Sequence, residues 1–122
     1  MPTRMPSPPP SPERWSVHAG DAASATLVVP ADARRERRFE IACALTVAVP
    51  AHAGKPWHGM TVLANGTQQW RRQGPAHNPG AWDGLDYRFE RSVPVGQTLR
   101  ITVSGAGQGV RRRTLVIEAD EI

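Results

Sequence analysis

The chain has 122 residues and a formal charge of +4, carried by fourteen arginines and one lysine against eleven acids. That length suits one domain burying roughly two-thirds of its unfolded surface. No run approaches the roughly 18 apolar residues of a membrane-spanning helix, and the single cysteine excludes an intrachain disulfide or a cysteine-rich zinc site.

Residues 1–13 hold six prolines among serine and threonine, a composition with little to bury, and read as a disordered tail preceding a single domain over residues 14–122. Proline stands where the apolar run of a secretory signal would be, so the expected location is the cytoplasm. From Trp15 the hydrophobic signal has period two. Trp15 and Val17, then Ala25, Leu27 and Val29, alternate with polar or small residues as two short strands, and Pro30 ends the second. Residues 31–38 lack an apolar stripe and read as a charged loop or helical turn. Residues 38–49 form the longest strand, with Phe39, Ile41, Cys43, Leu45, Val47 and Val49 on one face. The small residues Ala42, Ala44, Thr46 and Ala48 on the other face suggest close packing on both sides. Cys43 therefore reads as a buried apolar residue rather than a nucleophile.

Asn65-Gly66 predicts a type I′ hairpin turn within residues 60–72, because both residues tolerate positive φ. Centred there, the turn sets Leu63 against Gln68 and Thr61 against Trp70. The second arm is polar and suits a sheet edge. Residues 74–84 read as a turn-rich loop, Leu85, Tyr87 and Phe89 as a strand, Pro94 to Gly96 as a turn, and Leu99, Ile101 and Val103 as another strand. Residues 105–109, alternating glycines, read as a flexible connection to a last strand over residues 110–119. About eight strands without an amphipathic helix predict an all-β antiparallel sandwich, jelly-roll or immunoglobulin-like.

No motif fixes a reaction. Gly-x-Ser-x-Gly is absent, and the glycines of residues 105–109 precede no helix that could offer amides to phosphate. His52, His58 and His77 with Asp83 and Asp86 supply metal-donor types without metal-site spacing, so neither a metal nor a cofactor is expected. The basic residues are interleaved with or followed by acids, as in Arg34 to Arg38 among Asp32, Glu36 and Glu40, which speaks against nucleic acid as the partner. In Arg111-Arg112-Arg113, adjacent side chains must point to opposite faces, consistent with a solvated strand edge.

The informative region is residues 54–87, where Trp57, Trp70, Trp82 and Tyr87 are mixed with turn formers. Tryptophan offers a large contact area with few rotors to freeze, which suits sugar faces and partner side chains. The reading is a non-catalytic binding module for a polar ligand such as carbohydrate. Its expected platforms are Trp57, Trp82 and Tyr87, and its expected hydrogen-bonding groups are Asp83, Asp86 and Arg88. The alternatives are an assembly subunit that meets another protein through an edge strand or the tryptophans, and an enzyme built around His58, His77 and Asp83. The expected state is a monomer or weak dimer.

Overall fold

A computed structural model describes residues 11–52 and 54–122, so most of the proline-rich tail lies outside the described residues. Eight strands form: β1 (Arg14–His18), β2 (Ser24–Val29), β3 (Arg37–Ala48), β4 (Trp57–Ala64), β5 (Thr67–Pro75), β6 (Trp82–Val93), β7 (Leu99–Gln108) and β8 (Arg111–Glu121). None of the described residues is helical. They make two four-stranded antiparallel sheets, ordered β1-β8-β3-β6 and β2-β7-β4-β5. The sandwich expected from period two is present. Its ladders nest about the β4–β5 hairpin, joining β1 to β8, β2 to β7, β3 to β6 and β4 to β5. Nesting of this kind is the jelly-roll wind, whereas immunoglobulin order would place β1 beside β2.

The core lies where the alternation aims it. Phe39, Ile41, Cys43, Leu45 and Val47 of β3 are buried between Ile117 and Leu115 of β8 and the opposing sheet's Met60, Val62, Ile101 and Val103. The outer face of β3 corrects the expectation of close packing on both sides. Ala42, Ala44, Thr46 and Ala48 are only half-buried, and among the described residues no further layer covers them.

Register departs from simple counting at two bulges. Asn65 and Gly66 take φ of +48° and +81°, as the turn demands, and Leu63 faces Gln68. A shift between Val62 and Leu63 then sets Trp70 against Val62 and Arg71 against Thr61, so the indole turns toward the core instead of facing Thr61. The second shift, between Thr46 and Val47, leaves Arg113 as the extra residue of β8. That strand is internal rather than an edge, although its arginines extend past the last β1 pair, His18 with Val116. Arg112 is the arginine turned inward, and its Nε donates to the Asp21 carbonyl at 3.1 Å.

Two segments read as loops are largely strand. β7 continues through Gly105 and Gly107 to Gln108, and glycine is required there because a side chain would collide: a Cβ on Gly107 would lie 2.7 Å from Val110 Cγ2 and 3.0 Å from the Trp57 carbonyl oxygen. Glycine serves close approach here rather than flexibility. β5 likewise extends to Pro75, shortening the following loop to residues 76–81.

One end of the sandwich is closed by charge. Arg37 is 4% exposed; its Nη1 meets Glu13 Oε1 at 2.8 Å, its Nη2 donates to the Pro30 carbonyl at 2.7 Å, and its guanidinium lies over the Phe39 ring. Arg35 joins Glu13 and Glu121 at 2.8 and 2.6 Å. Glu13, counted with the tail in the sequence reading, is thus held by two arginines.

Candidate functional site

Strand alternation divides the six expected binding residues. On β6, Asp83 and Tyr87 point between the sheets, while Trp82, Asp86 and Arg88 lie on the outer face. Trp57 begins β4 at the same end of the molecule as Trp82, but it belongs to the outer face of the other sheet, where its Nε1 donates to Gln108 Oε1 at 3.3 Å. Both rings open strands rather than sitting in loops, and the two do not share a cleft. Trp57 lines a 550 Å³ groove with Lys55, Pro56 and Pro75; Trp82 lines a separate 380 Å³ cleft.

The Trp82 cleft is built by the loop over residues 76–81. Gly80, at φ +80°, donates its N–H to the Val49 carbonyl at 2.7 Å, and the Val49 N–H donates to the Ala81 carbonyl at 2.9 Å. Asn78 Nδ2 donates to the Trp82 carbonyl at 3.1 Å, fixing the strand's first residue. Ala48 separates Trp82 from Arg111 across the sheet, and its methyl leaves the space between them open. Trp82 is 51% exposed, with the Arg113 guanidinium carbon 4.8 Å from its ring centroid. One indole face is therefore stacked against a cation. Neither Arg111 nor Arg113 has an ion-pair partner among the described residues. Strand alternation alone reads these arginines as a solvated edge; the bulge brings Arg113 onto the indole.

A second cluster joins residues the sequence presented as a bare inventory. His58 is buried on the inner face of β4, flanked in register by Gly74 and Gly107, which leave room for its ring. Its Nε2 lies 3.3 Å from Asp83 Oδ2, and its Nδ1 is buried without a partner. The Asp83 carboxylate accepts the His77 N–H at 2.7 Å and the Gly84 N–H at 2.8 Å. Burial lowers the His58 pKa, opposed by the Asp83 charge and reinforced by His77 and Arg72. Burial alone would raise the Asp83 carboxyl, but the two amides and the nearby imidazoles together hold it below its usual range. This neutral imidazole against a fixed carboxylate opens on a 310 Å³ cleft that also reaches Arg72 and His77. No serine joins the pair: Ser104 is exposed on the outer face of His58's own sheet, opposite Thr61. Among the described residues no three His, Cys, Asp or Glu side chains gather as a metal site.

Tyr87 stands in a third place. Its ring is stacked between Trp70 at 4.9 Å and Phe89 at 5.4 Å, so both its faces are occupied.

No protein-family model matches the chain, and no curated protein does. Among solved structures it is similar to part of the crystal structure of dimeric latent PorU from Porphyromonas gingivalis, with TM-score 0.51 and 16% identity. The likeness covers 88% of this chain and 10% of that one, so this chain matches about a tenth of that protein's length. At that identity it is the sandwich fold that is shared.

Proposed function

We propose that the protein is a binding module for a polar ligand, a saccharide carrying negative charge, held at the Trp82 cleft. The observation that carries this reading is the half-exposed indole with one face stacked by Arg113, leaving its other face for a sugar ring. Arg111 and Arg113 add two uncompensated guanidinium groups, whose planar donors match a carboxylate or sulfate. A neutral sugar would use the indole but not these charges. Of the expected platforms, Trp82 is the one offered openly, since Tyr87 is stacked on both faces and Trp57 is half-buried with its indole nitrogen bonded to Gln108.

Calorimetric titration with acidic and neutral oligosaccharides tests the reading. An acidic saccharide is expected to bind, with affinity falling about tenfold or more in Trp82→Ala. The paired change Arg111→Gln/Arg113→Gln is expected to remove the preference for acidic over neutral sugars. Affinity unaltered by Trp82→Ala would overturn the site.

A further inference from the structure

We infer that β6 is a self-complementary edge through which two copies of this chain join into one continuous sheet, paired antiparallel about Tyr87. Of the four edge strands, β1 and β2 have five and six residues, and β5 is interrupted by a bulge and ends on a proline. β6 has twelve residues, keeps an unbroken register with β3, and contains neither proline nor lysine. Its only guards are its charges, Asp83, Asp86, Arg88, Glu90 and Arg91, and a second β6 can answer those with opposite ones.

Its free backbone groups can be identified. Val49 donates to the Ala81 carbonyl on the β6 side of its strand, and Ile122 donates to the Arg38 carbonyl on the β8 side. Odd-numbered residues of β3 thus bond to β6, and its even-numbered residues bond to β8. Because antiparallel partners exchange bonds at alternate residues, the even-numbered residues of β6 turn their amides and carbonyls to the open side; the Gly84 amide already donates to Asp83 and the Trp82 carbonyl already accepts from Asn78, which leaves those of Asp86, Arg88, Glu90 and Ser92.

Side chains then select the register. Two-fold pairing about Tyr87 sets Asp86 against the second copy's Arg88, and Arg88 against its Asp86, on the outer face. On the inner face it sets Asp83 opposite Arg91, and Leu85 opposite Phe89. Centring on Arg88 would instead oppose arginine to arginine and Asp86 to Glu90, and centring on Asp86 would oppose aspartate to aspartate. A centre on Phe89 matches Arg88 with Glu90 but sets Asp86 against Ser92 and Arg91 against Tyr87, without opposite charges. Only the Tyr87 centre gives opposite charges on both faces, Asp86 with Arg88 outside and Asp83 with Arg91 inside.

Burial supports the same edge. The inward apolar residues of β3 are 0–1% exposed, yet Leu85, Tyr87 and Phe89 on β6 are only half-buried, leaving an apolar row at the rim of the core. A second β6 would cover it with the same row reversed.

Light scattering of the full chain across micromolar to millimolar concentrations should give twice the chain mass at the upper end. Asp86→Arg and Arg88→Asp should each weaken self-association by about tenfold or more, since each replaces two attractive pairs with two repulsive ones. Mixing the two variants should restore association, because each then faces its opposite charge. Amide exchange on the unmodified chain gives a second readout: the amides of Asp86, Arg88 and Glu90 should be protected when concentrated and open on dilution. A monomer throughout the range would overturn the proposal, as would reversals that leave association unchanged or fast, concentration-independent exchange at those amides. None of these results depends on saccharide binding.

Discussion

The Trp70 indole stacks on the Tyr87 ring at 4.9 Å and an interplanar angle of 11°, spanning the side of the sandwich where the edges of the two sheets face each other. Trp70 packs against the core, whereas Trp82 at 51% exposure rests on little beyond Arg113. Trp70→Ala should therefore cost about 2–4 kcal/mol in chemical denaturation, and Trp82→Ala no more than about 1 kcal/mol. Equal losses would mean that both rings plug the core and that Trp82 is not a platform.

Removing the acid that faces a buried cation should hurt more than removing the cation. Glu13→Ala leaves Arg37 charged and enclosed, so a loss of about 3–5 kcal/mol is expected, whereas Arg37→Met removes charge and desolvation together and should cost less. Urea melts of both variants give the comparison. A milder Glu13→Ala would show that the Pro30 carbonyl and the Phe39 ring suffice to hold the guanidinium.

Acid should weaken the fold first through His58. Burial lowers its folded pKa below the ordinary 6.5, so on acidification the unfolded chain takes up that proton before the folded one does. Stability from this residue is complete above pH 6.5 and declines as pH falls from there through the folded value, with a slope of at most about 1.4 kcal/mol per pH unit. Asp83 is also lowered, below 3.8, so its contribution is lost only in stronger acid. Denaturation midpoints between pH 7.5 and pH 5 should fall for the unmodified chain and flatten in His58→Gln.

The Cys43 thiol should be inert in the folded protein. It is 1% exposed, and burial pushes its pKa up to about 12. At pH 8 a disulfide reagent should label it roughly a thousandfold more slowly than an open thiol, and at the ordinary rate once urea unfolds the chain. Fast native labelling would contradict the position of β3 at the centre of its sheet.

Much of the architecture was legible because period two reports which face of a strand a residue occupies. Phe39 to Val47 alternate without a break, and the structure buries that face. Asn65-Gly66 announced its turn through the cost of positive φ to other residues. The glycines of residues 105–108 misled, because glycine marks both flexible loops and close approaches. Only the neighbours of Gly105 and Gly107 distinguish the two.

The candidate sites were less legible, since they join residues far apart in the chain. His58 and Asp83 were visible as residue types, but their 3.3 Å approach requires β4 and β6 to lie in opposite sheets with those side chains both turned inward. Arg113 meets Trp82 because one bulge adds a residue to β8, and a bulge has no side-chain period to betray it. Local chemistry thus fixed the strands, their buried faces and the hairpin turn. Which strand lies beside which, and with what register, was decided by tertiary structure, because backbone pairing is nearly indifferent to sequence and is settled only when all the inward faces close on a single core.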